Sequence, residues 1–202
     1  RSRGLGDVYK RQVNDLKGIK NEYDFETTVD MEVDAYIPAT YIKSEYQKLD
    51  IYKRIAALET REELSDMRDE LADRYGSIPS SAANLLMIAL IKTKAHKIGI
   101  MDIKGATKHN PSGGVSNWRT VMTIYPKADI NSDNIQQLVD TFGGALEFKL
   151  KSTPEFVWTV TKRKFSSARE YLDGMLDMMD IMEDALGCLL YTSPSPRDLS
   201  TS

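Results

Sequence analysis

Four carboxylates carry the most suggestive chemistry in the chain. Glu63, Asp66, Glu70 and Asp73 recur at i, i+3, i+7 and i+10, a spacing that draws one acidic stripe along a helix. Like charges on one face repel one another modestly, and a basic partner relieves the repulsion. Arginine suits the task, because guanidinium engages a carboxylate through two parallel hydrogen bonds. The plainer reading is a solvated helix face.

Other residues offer less. Gly113-Gly114 lacks the following Gly-Lys-Ser/Thr of a phosphate loop, and no Gly-Lys pair occurs in the chain, so a plain turn is the better reading. Asp69-Glu70 resembles an acidic pair that helps hold Mg²⁺, but it falls inside an amphipathic helix rather than at the end of an apolar strand. His96 sits near a helix C-terminus, where a positive imidazole favours the macrodipole. His109 lies in a polar loop without the neighbours of a metal site. Met175, Met178, Met179 and Met182 read as core filling before they read as a plastic binding face. Trp118 and Trp158 could stack on bases, although packing is the simpler role.

Positioning these residues requires a small set of elements. Residues 27–37 alternate at Val29, Met31, Val33 and Ala35, as an extended strand does, and Pro38 ends it. Ser44-x-x-Gln47 is a capping-box pattern opening a helix to about Leu58. Thr60-x-x-Glu63 opens a second, with Leu64, Met67, Leu71 and Tyr75 as its apolar stripe and Gly76 as its stop. Pro79 suits the first turn of a third, apolar nearly all round from Ala82 to Ile91, with Lys92, Lys94 and Lys97 towards its end. Residues 100–107 and 120–125 read as strands around the turn-rich segment HNPSGGVSN. Ser132 caps a short helix ended by Gly143-Gly144. Leu146, Phe148 and Leu150, then Phe156, Trp158 and Val160, predict a hairpin. Ser167-x-x-Glu170 starts a last helix to about Leu186. The order is a three-helix segment, then a mainly antiparallel small sheet with two further helices, which is an α+β fold.

Composition bounds the function. The 202 residues carry 27 Lys and Arg against 30 Asp and Glu, with 41% hydrophobic residues. The mild acidity argues against a generic nucleic-acid binder. No apolar run reaches the ~20 residues that span a bilayer, so no membrane partner is expected, and a lone Cys suits a reducing, cytoplasmic setting. The ends look foreign to the domain. An in-frame sequencing-library transposon end with its read primer translates to CLLYTSPSPRD, which is Cys188–Asp198. The complementary strand gives SRGLGDVYKRQ, which is Ser2–Gln12. Residues 1–12 and 188–202 are therefore expected to be adaptor-derived tails. Without them the net charge moves to −6 and the only Cys disappears. Residues 13–26 read as a linker or the end of a preceding module, and 27–187 as the domain.

Three blocks then resemble one family. They are Val33-Asp34-Ala35-Tyr36-Ile37-Pro38 with Tyr41-Ile42, Leu49-Asp50-Ile51-Tyr52-Lys53-Arg54-Ile55-Ala56, and Asp69-Glu70-Leu71-Ala72-Asp73-Arg74-Tyr75-Gly76-Ser77-Ile78-Pro79. In this order and at these separations they resemble the C-terminal domain of bacterial transcription-repair coupling factor. After Gly99 the likeness is one of pattern and length. The resemblance implies a non-catalytic regulatory domain of an ATP-dependent DNA translocase that removes stalled RNA polymerase and recruits UvrA. ATP and Mg²⁺ would belong to motor domains outside this segment, so no cofactor is expected within it. It implies an intramolecular clamp, in which the domain packs on the N-terminal UvrB-like domain and masks its UvrA-binding surface. Its acidic contacts to arginine carry over to Glu70 and Asp73, with Glu63 and Asp66 on the same stripe. Arg54 and Arg74, also in matching blocks, are expected to make structural ion pairs.

Two other functions compete. A nucleic-acid-binding module would use Lys92, Lys94, Lys97 and Trp118. A small enzyme would need His109 and a nearby loop carboxylate, and a sheet holding the two apart would dispose of it.

Overall fold

Ser44 and Thr60 start the first two described helices. The computed structural model describes residues 25–109, 111–112, 115–128 and 130–186. Ser44 accepts a hydrogen bond from the Gln47 amide and opens α1 (Glu45–Ile55). Thr60 and Glu63 form a reciprocal capping box at the start of α2 (Arg61–Tyr75), satisfying two amides that the first turn leaves without partners. Pro79 sits just outside α3 (Ser80–Lys97) as its N-cap. Asn131, rather than Ser132, caps α4 (Ser132–Phe142), and Gly143 closes it in the left-handed conformation with φ 48°. α5 (Ala168–Leu186) begins where Ser167 Oγ accepts the Glu170 amide.

Five strands form one sheet: β1 (Thr28–Met31), β2 (Ile100–His109), β3 (Val115–Ile124), β4 (Leu146–Lys149) and β5 (Glu155–Thr161), in the order β1-β2-β3-β5-β4. β1 pairs with β2 in parallel, and every other pairing is antiparallel. The three helices α1–α3 fill the connection that a parallel pair requires. The fold is α+β, as the element order predicts.

The first strand is shorter than its alternation suggests. After Met31 the Val33 amide turns back to the Met31 carbonyl at 2.8 Å, and the chain leaves the sheet. The polar backbone of residues 34–37 is then satisfied by helices. The Asp34 carbonyl accepts from Asn84 Nδ2, the Tyr36 amide donates to the Ser81 carbonyl, and the Ile37 amide donates to Tyr52 Oη. The departure buries Ile37 and Ile42 beneath the helices, a gain that outweighs four more residues of edge-strand pairing.

One face of the sheet packs on helices. Trp118, Thr120, Met122 and Ile124 of β3 and Phe156, Trp158 and Val160 of β5 point inward, against Tyr171, Leu172, Met175 and Met179 of α5. α3, apolar around most of its girth, lies against α5. Thr120 Oγ1 and Tyr171 Oη share a buried 2.5 Å hydrogen bond, and burial pushes the Tyr171 phenol up to about 12. Met175, Met178, Met179 and Met182 have essentially no exposure, so they fill the core. On the other face the paired rows hold Asp102, Lys104, Ala106 and Lys108 beside Thr123, Val121, Arg119 and Asn117, and no described helix covers them.

Candidate interaction face on the second helix

The inward stripe of α2, Leu64, Met67 and Leu71, sets the direction of every other side chain on it. At 3.6 residues per turn, Glu63 and Glu70 fall about 80–100° from Leu71, on the flank. Glu62, Asp66, Asp69 and Asp73 fall about 140–180° away, on the outermost ridge. All four ridge residues are exposed, and among the described residues none has an ion-pair partner. They span about 16 Å at 1.5 Å per residue.

The flank carboxylates are already occupied. Glu63 Oε2 accepts from the backbone amides of Glu59 at 2.7 Å and Thr60 at 3.2 Å. Glu70 accepts two parallel bonds from Arg54 of α1, at 2.6 and 2.5 Å, and a third from Arg74 at 3.0 Å. The Arg54 hydrogen bond is the main reason that the Glu70 carboxyl is drawn down to about 2. Arg54 and Arg74 thus make the structural pairs expected of them. Of the four carboxylates picked from spacing, Asp66 and Asp73 stand open on the ridge, while Glu63 and Glu70 help build the helix and its contact with α1. Glu62 and Asp69 were missed. The signal was present in the angle each residue makes with the Leu64/Met67/Leu71 stripe, because a run of i, i+3, i+7, i+10 mixes ridge and flank.

The nucleic-acid reading of α3 does not fit the structure. Lys94 is buried and its ammonium donates to Asp180 at 2.7 Å and Glu183 at 2.9 Å. Lys92 pairs with Glu26 and Lys97 with Glu59. Trp118 is buried, stacked on Tyr171 at 4.6 Å, with its Nε1 donating to the Phe165 carbonyl. These four residues neutralise carboxylates and fill the core, so they form no base-stacking platform.

The two histidines also differ from expectation. His96 is packed against Phe25 at 4.7 Å, and its Nδ1 lies 3.1 Å from Thr27 Oγ1. Burial, and then the charge of Lys92, lower its pKa, which favours a neutral ring over a cation serving the helix dipole. His109 Nε2 lies 3.1 Å from Thr107 Oγ1, which donates to Glu32 Oε2 at 2.7 Å. The sheet therefore brings a carboxylate within one hydroxyl of His109 and does not separate them. Thr107 thus lies between the two, its hydroxyl donating to the Glu32 carboxylate and meeting the His109 ring on its other side. The Glu32 carboxylate, which also accepts the Thr107 amide at 2.8 Å, pins the end of β1 to β2. Hydrogen bonding from the Thr107 side chain and backbone holds its pKa below the usual range. Among the described residues no group of three His, Cys, Asp or Glu could hold a metal ion, and no described helix is long and apolar enough to cross a membrane.

Comparison with known proteins agrees with the three sequence blocks. Residues 31–112 match the family model of the TRCF domain. The chain carries a TRCF domain. The transcription-repair-coupling factor of Staphylococcus epidermidis is 32% identical over 188 residues, covering 89% of this chain and 15% of that protein. That of Bacillus subtilis is 31% identical over 179 residues, covering 88% of this chain and 14% of that protein. A crystal structure of the C-terminal domain of a transcription-repair coupling factor shares the fold, with a TM-score of 0.63 at 21% identity. It covers 81% of this chain and 96% of that one. The chain thus spans about one seventh of the length of these two relatives. The TRCF model covers the whole of α1, α2 and α3 and reaches the end of β2. The adaptor-like stretches 1–12 and 188–202 lie outside the described residues, as does most of the linker 13–26.

Proposed function

We propose that this TRCF domain is a non-catalytic regulatory module that docks, through the outer ridge of α2, onto an arginine-bearing domain of its own parent protein. The observation that carries the reading is the row of exposed carboxylates Glu62, Asp66, Asp69 and Asp73, without an ion-pair partner among the described residues, along the helix surface opposite its core stripe. A row of unneutralised charge costs stability in isolation and gains it against a basic partner.

The parent, by family likeness, is a cytoplasmic ATP-dependent DNA translocase that removes stalled RNA polymerase and recruits UvrA. Its ATP and Mg²⁺ are bound in motor domains, and this module needs no cofactor of its own. The partner surface is its N-terminal UvrB-like domain, whose UvrA-binding face the module masks. Asp73 and Asp66 meet the partner arginines. Glu70 takes part from the flank, where its grip on Arg54 sets the attitude of α2 against α1. Engagement of RNA polymerase and duplex DNA then favours an open state in which the ridge is released.

The test is binding of the full chain to the separately made UvrB-like domain at 50 and 500 mM salt. Affinity should fall with salt and drop about tenfold in Asp66→Asn/Asp73→Asn, or about 1.4 kcal/mol. Equal affinity of the double variant at low salt removes the role given to the ridge.

A further inference from the structure

About half of the described lysines and arginines in this acidic chain meet a carboxylate. Arg54, Arg61, Arg74, Lys92, Lys94, Lys97, Lys149 and Lys151 each have one or more carboxylate partners. One corner of the sheet gathers four cations from three segments. On the face that no described helix covers, Lys108 of β2 lies opposite Asn117 of β3, which lies opposite Thr161 of β5. Arg119 lies between Ala106 and Thr159 in the adjoining row. Lys162 and Arg163 follow directly in the turn that leaves β5 and are exposed. These two rows contain no acidic residue, and among the described residues Arg119, Lys162 and Arg163 have no carboxylate partner. The strand geometry sets Lys108 and Arg119 about 8 Å apart, from a 4.8 Å strand spacing and a two-residue step.

The kind of partner follows from what surrounds the cations. The cross-strand neighbours of the half-buried Arg119 are short and exposed, Ala106 and Thr159, so no long side chain stands directly beside it in its row. Asn117, Thr159 and Thr161 add amide and hydroxyl donors, the side chains that accompany Lys and Arg at phosphate oxygens. These two rows carry no aromatic residue, so they offer neither the buried anchor of a protein interface nor a stacking surface for bases. We propose that this corner, built on Lys108, Arg119, Lys162 and Arg163, holds the phosphate backbone of duplex nucleic acid without reading its sequence. The surface is distinct from the α2 ridge and does not depend on the reading given to it.

Three or four phosphate contacts predict a logarithmic salt slope of about −3, since each contributes about −0.9. The test is fluorescence anisotropy of a labelled 20-base-pair duplex titrated with the full chain between 25 and 200 mM salt. The wild type should bind at low salt with that slope. Arg119→Gln/Arg163→Gln should weaken binding at least tenfold at 50 mM salt and make the slope shallower by about 2. Circular dichroism melting verifies that the variant is folded, and Lys162→Gln alone, in an exposed turn, should weaken binding without any change in the melt. Asp66→Asn/Asp73→Asn should bind DNA no more weakly than wild type. No anisotropy change at 25 mM salt, or equal binding by the double variant, overturns the proposal. So does displacement of the duplex by polyglutamate as readily as by polyphosphate, which would make the corner a site for acidic peptides.

Discussion

Replacing Arg54 by Ala should expose how far one ion pair holds α1 against α2, and it should do so in a pH-dependent way. Arg54 grips both oxygens of Glu70, whose carboxyl titrates at about 2 rather than 4.5. If that displacement were converted whole into stability, linkage would give about 3 kcal/mol. Both side chains keep roughly a third of their surface in water, and screening reduces the net value to about 1 kcal/mol. The sign follows from the direction of the shift. A carboxyl lowered in the folded state stabilises the fold fully above its unfolded pKa, and the gain disappears as pH falls through the folded value. Arg54→Ala should therefore lower Tm by about 2–4 °C at pH 7, and the gap from wild type should close between pH 4.5 and 2. Urea melts of both proteins across that range provide the assay. In parallel, NMR titration of the Glu70 side-chain carboxyl should show its pKa rising in the variant, with Arg74 left as its partner. A gap that stays constant from pH 6 to 2.5, or an unmoved Glu70 titration, refutes the assigned cause.

Other variants test the core and its ties. Thr120→Val leaves the buried Tyr171 hydroxyl without its partner and should cost about 1–3 kcal/mol in chemical denaturation. Adding Tyr171→Phe should cost little more, since both polar ends are then gone. A Cβ at Gly105 would stand 2.7 Å from that same hydroxyl, so Gly105→Ala should cost about 1–3 kcal/mol and clearly less in the Tyr171→Phe background. Gly174→Ala should destabilise α5 despite alanine's better helix propensity, because its Cβ would run into the Phe165 ring. A rise in Tm would contradict that packing. Lys94→Met removes the ammonium between Asp180 and Glu183. It should cost about 1–2 kcal/mol, moderated by the water reaching both carboxylates, and Asp180→Asn in the same chain should add less than it costs alone.

Local signals carried much of the fold. The capping pair Thr60 and Glu63, the stop at Gly143 and the apolar faces of α2 and α5 are written in residues a few positions apart, and the structure keeps them. Long-range competition decided the rest. Val33 and Ala35 alternate like strand residues, but burial of Ile37 and Ile42 draws that segment off the sheet. His96 is sequence-close to a helix end, yet its environment is set by Thr27 and Phe25 nearly seventy residues away. The acidic stripe was half legible, because spacing identifies a helix face while only the core stripe says which face turns fully outward. Glu70 could be assigned to Arg54 only once α1 and α2 lay side by side. The cationic corner was invisible in the sequence, since Lys108, Arg119 and Arg163 come from three segments that only strand register brings together.

The parallel pairing of β1 with β2 has a kinetic consequence. Thr28 and Asp102 are separated by 74 positions, whereas the β4–β5 hairpin closes across six between Lys149 and Glu155. Loop-closure entropy makes the first contact costlier than the second by about 2 kcal/mol, and only four residues of ladder offset it. The first strand should be the last element to dock during folding and the earliest to open in the native state, ahead of β3 and β5. Amide exchange at Val29, Asp30 and Met31 would then proceed through a local excursion that leaves the α3–α5 core intact. The domain would tolerate losing its leading strand for short intervals without unfolding.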